Sequence, residues 1–177
     1  MRNTFMLAAI TFGVNACASD INDSGEQLGQ VSQGLTVGSC SDQTFPLFRY
    51  YSGGATDHFY TTNFGELGGG GLGYTLEGLA GQLVPSSFAA CGAVPLHRFY
   101  NSGGADHFYT TNIAEGVGMT YEGVQGYCFP FSAPGLTPLY RYYNGEVVDH
   151  FYTTNFGELG GGALGYGFEG VQCNVAP

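Results

Sequence analysis

Three stretches of this chain alternate their residue types with a period of two: Pro46-Leu47-Phe48-Arg49-Tyr50-Tyr51, Pro95-Leu96-His97-Arg98-Phe99-Tyr100 and Pro138-Leu139-Tyr140-Arg141-Tyr142-Tyr143. Period two is the period of a β-strand, whose successive side chains point to opposite faces. Leu47, Arg49 and Tyr51 share one face and recur unchanged in the other two stretches, whereas the opposite face varies (Phe48, His97, Tyr140). After a turn, each stretch resumes as Asp-His-Phe-Tyr-Thr-Thr-Asn, at 57–63, 106–112 and 149–155. Arg to Asp is eight residues in every copy although the turn sequences differ. Constant length with changing content is what a hairpin of fixed register requires, because a slip of one residue would exchange its faces.

Each copy continues with a Glu (Glu66, Glu115, Glu158), a glycine-rich stretch and a closing Glu-Gly (Glu77-Gly78, Glu122-Gly123, Glu169-Gly170). The distance from Asn to the later Gly is ten, six and ten residues, so this segment reads as a surface loop that tolerates insertion. Asn-x-x-Glu at its start can cap a short helical turn. The repeats run over about 46–94, 95–137 and 138–177, each expected to hold about four short strands, and residues 45–177 are expected to form one body. Such a β unit cannot bury itself, so three should close on one another. The expected fold is all-β and β-trefoil-like, which hides sheet edges. A small propeller-like repeat domain is the rival, but three blades fall below the usual four to eight.

Composition supports strands over helices: 15% aromatic without Trp, 31 Gly and only 10% charged. There is no Lys, and the formal charge is −10. That excludes a nucleic-acid partner, which needs clustered Lys or Arg, and disfavours anionic lipid surfaces. Arg2 followed by the apolar run Thr4–Val14 and Ala16-Cys17-Ala18 reads as an export signal over residues 1–18, too short to span a bilayer as a helix. Two processing routes stay open: cleavage after Ala18, giving a soluble chain, or lipidation of Cys17 in a lipoprotein box. Residues 19–44 are Ser/Gly/Gln/Asp-rich and read as a flexible linker or propeptide. The mature chain keeps Cys40, Cys91, Cys128 and Cys173, an even number that in an exported protein favours disulfides over metal. Of the three pairings available, the reading favours Cys40–Cys173 with Cys91–Cys128.

The only Arg of each copy lies on the recurring face and needs an acidic partner there. The expected structural ion pairs join Arg49, Arg98 and Arg141 to Glu77, Glu122 and Glu169. The adjacent Asp-His pairs invite a catalytic reading, but neighbours on a strand face opposite ways and no nucleophile recurs beside them. No enzyme activity, metal or cofactor is expected. Three His at a pseudo-threefold axis could hold a metal only if all three strands turned them inward.

Sugar binding is the stronger expectation, because carbohydrates need aromatic faces and fixed polar groups, and triplication adds avidity. The candidate ligand-binding residues are Asp57, His58 and Asn63 with Asp106, His107, Asn112, Asp149, His150 and Asn155, beside a neighbouring Tyr. The alternative is a structural or surface-display repeat protein in which Phe59, Tyr60 and their equivalents simply fill the core.

The run Pro-Leu-x-Arg-aromatic-Tyr, then Asp-His-Phe-Tyr-Thr-Thr-Asn, then Tyr-x-x-Glu-Gly closely resembles a repeat family catalogued as a domain of unknown function. That family occurs in secreted bacterial and fungal proteins, often as three tandem copies, and is commonly appended to cell-wall hydrolases and peptidases. The resemblance implies an extracellular or cell-surface accessory module that binds glycan or wall material, with no settled activity; separately, a monomer is expected. This chain departs from the commoner pattern where glycine-rich loops (Gly68 to Gly71, Gly160 to Gly162) replace a charged helical segment.

Overall fold

The computed structural model describes residues 43–177. The export signal, Cys17, Cys40 and nearly all of the 19–44 linker lie outside these residues. The strands are β1 (Phe45–Ser52), β2 (Asp57–Thr61) and β3 (Thr75–Leu83) in the first repeat, and β4 (Val94–Asn101), β5 (Asp106–Thr110) and β6 (Thr120–Cys128) in the second. The third holds β7 (Thr137–Asn144), β8 (Asp149–Thr153), β9 (Gly162–Ala163) and β10 (Tyr166–Val175). Each repeat forms its own antiparallel sheet, in the orders β2-β1-β3, β5-β4-β6 and β8-β7-β10-β9.

The hairpins keep one register throughout: Ser52 faces Asp57, Asn101 faces Asp106 and Asn144 faces Asp149. The residue before each Asp takes a left-handed backbone conformation (Thr56, Ala105 and Val148 at φ 56°, 58° and 56°). The turn is therefore fixed in shape while its residues change. Three long strands per repeat replace the four expected. A 3-10 turn and the glycine loop occupy the remaining chain, and only the third repeat adds the two-residue β9. Glycine-rich sequence forms strands poorly.

The three sheets do not close on themselves; together they make a trefoil-like all-β body around a pseudo-threefold axis. Around it lie Leu47, Leu96 and Leu139, then Tyr60, Tyr109 and Tyr152, all at 0–1% exposure. The innermost strands β2, β5 and β8 would present unpaired edges to one another, which buried backbone does not tolerate. The tyrosine hydroxyls resolve this. The Tyr109 hydroxyl accepts from the Tyr60 N–H (2.7 Å) and donates to the Tyr60 carbonyl (2.7 Å). The Tyr152 hydroxyl does the same for Tyr109 (2.9 and 2.7 Å), and the Tyr60 hydroxyl for Tyr152 (2.7 and 2.9 Å). The ring is closed and runs one way.

A second ring of contacts sits where each third strand ends. A Cβ on Gly81 would lie 2.7 Å from Val175 Cγ2, and one on Gly126 would lie 2.8 Å from Leu83 Cβ. Both glycines also have positive φ (138° and 156°). The matching position in the third repeat is Cys173, and its partner is the disulfide-bonded Cys128, at a Cα separation of 6.0 Å. One of three glycine–aliphatic contacts has become covalent. The expected pairing is thus corrected: Cys128 joins Cys173, not Cys91, because the register places those two sulfurs together inside the core. Cys128→Leu with Cys173→Gly, which copies the sister contacts, is expected to lose about 2–4 kcal/mol through the freed chain entropy of a 45-residue separation. Urea denaturation of the double variant against the oxidised protein measures it.

Candidate functional site

The histidine and arginine contacts between repeats run in one direction, from one repeat to the one before it, and from the first back to the third. The Nδ1 and backbone N–H of His107 both donate to Asp57 (2.6 and 2.8 Å), those of His150 to Asp106 (2.7 and 2.8 Å), and those of His58 to Asp149 (2.7 and 2.8 Å). All three Asp are 0% exposed. Asp57 and Asp149 additionally accept from the hydroxyls of Tyr74 and Tyr166. The second repeat has Met119 at the equivalent place, so Asp106 lacks that third donor. Burial first, then the hydrogen-bonded carboxylate, pushes both of these tyrosines far above the ordinary phenol range.

The catalytic-looking Asp-His neighbours are therefore partners only across repeats: Asp57 orients His107, not His58. Nor do the histidines meet at the axis as metal ligands would. It is the carboxylates that converge, with oxygens of Asp57, Asp106 and Asp149 all within 4.8 Å of one another. Imidazole and backbone donors already occupy both oxygens of each.

The arginines form an outer clamp. Arg49, Arg98 and Arg141 each place Nε 2.9 Å from the closing Glu of their own repeat, Glu77, Glu122 and Glu169, as expected. Each also reaches the previous repeat's earlier Glu: Arg98 to Glu66 (3.2 Å), Arg141 to Glu115 (3.0 Å) and Arg49 to Glu158 (3.0 Å). The guanidinium lies over the previous repeat's Phe ring, at 4.9 Å (Phe151), 4.7 Å (Phe59) and 5.4 Å (Phe108). Burial alone would raise the Glu66 and Glu115 carboxyls. Hydrogen bonds from Arg98 and Thr61 outweigh this for Glu66, and from Thr110 and Arg141 for Glu115, so both are held below the usual value.

The last of the sequence candidates, Asn63, Asn112 and Asn155, use their side-chain oxygens to cap the 3-10 turns Phe64–Glu66, Ile113–Gly116 and Phe156–Glu158. All nine candidates thus make internal hydrogen bonds, with the Asp at the axis, each His bound to an Asp of a neighbouring repeat, and the Asn at the turns.

What remains open to solvent are clefts between repeats. One, of about 600 Å³, lies between the first and second repeats, lined by Thr62 and Asn63 on one side and Gln125 and Tyr127 on the other, with Phe45, Pro85 and Ser86 at its rim. The equivalent cleft between the second and third repeats is smaller, about 190 Å³, and polar, lined by Thr111, Asn112, Glu115, Arg141 and Gln172. Thr62 Oγ1 donates to the Gln125 carbonyl (2.7 Å), and Gln172 Nε2 donates to Thr111 Oγ1 (3.2 Å). The junction of third and first repeats carries Ala80 at the glutamine position. Sequence reasoning found Asn63 and Asn112 but missed Gln125, Tyr127 and Phe45. The only signal was that the glutamine follows Glu-Gly-Val in two copies and is absent from the first.

Fold and junctions define a class: a three-unit, trefoil-like all-β repeat protein whose units clasp head to tail. The chain belongs to the family described as a domain of unknown function (DUF5648), whose model matches residues 22–120 and again 46–176. No curated protein matches the chain, and no solved structure does. Among the described residues, no helix is long and apolar enough to cross a membrane.

Proposed function

We propose that this protein is a secreted or surface-anchored, non-catalytic module that binds carbohydrate, such as cell-wall glycan, in the clefts between its repeats. One observation carries the reading: the cleft between the first and second repeats sets two aromatic rings, Phe45 and Tyr127, beside Thr62, Ser86 and Gln125. Its volume of about 600 Å³ falls in the range of small-ligand sites. Aromatic faces suit the C–H surface of a pyranose, and hydroxyl and amide groups suit its oxygens. The smaller second cleft, with the Arg141 clamp in its wall, supplies a polar companion, and two linked weak sites gain avidity.

The recurring Asp and His serve the fold, so the ligand is read by the cleft's own lining, the recurring Thr62 together with Phe45, Ser86, Gln125 and Tyr127. A glycan array is the direct test. Phe45→Ala and Gln125→Ala are expected to weaken wild-type binding about tenfold or more each, the usual worth of a well-placed contact. Gln172→Ala is expected to leave the larger cleft's ligand bound. Silence of the wild type across glycans and peptidoglycan fragments would overturn the reading in favour of a surface-display protein without a small ligand.

A further inference from the structure

The glycine-rich loops hold three aliphatic side chains almost wholly in water: Leu72 at 90%, Val117 at 84% and Leu164 at 84% exposure. They are equivalent positions, each immediately before the glycine that leads into the third strand of its repeat. Leu72 and Leu164 are also in the left-handed region, at φ 52° and 55°. That conformation is unfavourable for a branched side chain and costs glycine nothing. Leu72 has glycine on both sides, in a chain with 31 glycines. A leucine held there, strained and unburied, serves no folding purpose visible in the structure.

All three sit at the same end of the body. A Cβ on Gly73 would lie 3.7 Å from Ser52 Oγ, and one on Gly165 would lie 2.7 Å from Asn144 Nδ2, so these loop tips flank their hairpin turns, and the pairing of Tyr100 with Thr120 brings the second repeat's tip to the same end. The turns of the second and third repeats touch one another there, with Gly104 against Val148, and the axial Asp ring lies just beneath. Across the turns (53–56, 102–105, 145–148) and loop tips (68–73, 116–118, 160–165), Glu146 is the only charged residue.

The geometry points to this end as a docking surface for an electrically neutral lipid bilayer, with Leu72, Val117 and Leu164 entering the interface as three prongs. Three points around an axis define a plane, which a bilayer matches. The prongs are separate and aliphatic, suited to a fluid hydrocarbon phase. A sugar surface would call for aromatic faces, and a protein partner for one contiguous patch. The charge-poor end fits a zwitterionic leaflet, and the acidic remainder of the chain repels an anionic one. Three partly buried aliphatic side chains give weak, reversible attachment.

Flotation of the full chain with phosphatidylcholine vesicles tests this. Wild type is expected to float at millimolar lipid, and less when phosphatidylserine is added. Leu72→Gly and Leu164→Gly are each expected to weaken partitioning about threefold to tenfold while thermal stability holds or rises, since glycine relieves the backbone. With Val117→Ser added, the combined loss should reach about thirtyfold to a thousandfold. Absence of flotation by the wild type overturns the inference, as does flotation that the triple variant leaves unchanged. So does a dimer on size-exclusion chromatography that the same substitutions dissolve, which would assign the prongs to a second copy. Neither arm depends on glycan binding.

Discussion

Tyr109→Phe is expected to destabilise the protein by about 2–6 kcal/mol, because one lost hydroxyl orphans two buried backbone groups, the N–H and carbonyl of Tyr60. Phenylalanine fills the same space, so packing is kept and the loss isolates the hydrogen bonds. Tyr60→Phe and Tyr152→Phe should cost the same, since each hydroxyl closes an equivalent edge. Guanidinium unfolding, with the midpoint and slope compared across the three, measures it. A loss below about 0.5 kcal/mol in any of them would show that the edges are satisfied some other way.

Alkali should act on the same three groups. Burial pushes all three phenols well above the ordinary value of 10.0. For a folded-state pKa above the unfolded one, the stability is complete below the unfolded value and is lost as pH rises towards the folded one. Loss should therefore begin near pH 10 and steepen as these phenols ionise, the three buried ones alone giving roughly 4 kcal/mol per pH unit, with Tyr74 and Tyr166 acting in the same direction. Tyrosinate absorbance and loss of β-sheet signal should coincide in one transition.

Asp57→Ala carries the second large effect, about 3–5 kcal/mol, since it leaves the His107 ring, the His107 N–H and the Tyr74 hydroxyl without their acceptor inside the body. Asp149→Ala should match it, and Asp106→Ala should cost less, because Met119 offers no hydroxyl to strand. Thermal unfolding of the three variants gives the order. Equal losses would mean the tyrosine bonds contribute nothing. For the same reason His58, His107 and His150 are poor positions at which to test ligand binding, as their removal attacks the fold.

Much of this was legible in the residues. The constant eight residues from Arg to Asp carried the hairpin register, and one Arg per copy on an apolar face carried the pairs to Glu77, Glu122 and Glu169. Period two assigns a face, but it does not say which neighbour that face meets. Hence the partners across repeats, Asp57 with His107 and Glu66 with Arg98, stayed hidden. The disulfide was concealed differently. Cys173 stands in the register of Gly81 and Gly126, and Cys128 in that of Leu83 and Val175, an equivalence visible only once the third strands are laid over one another. The clefts were least legible: recurring residues such as Thr62 and Thr111 line them, but Phe45, Ser86 and Tyr127, which set the larger one apart, are positions the copies do not share.

Gln82 gives the ring a last property. Its amide oxygen accepts from the Thr44 hydroxyl and its nitrogen donates to the Pro177 carbonyl, so both ends of the body are pinned to one side chain. With the ends adjacent and the same Asp–His, Arg–Glu and tyrosine contacts at every junction, no repeat is topologically first. Joining those ends by a short linker and opening the chain at 131–136 instead would yield a circular permutant with the same clasps in a new order.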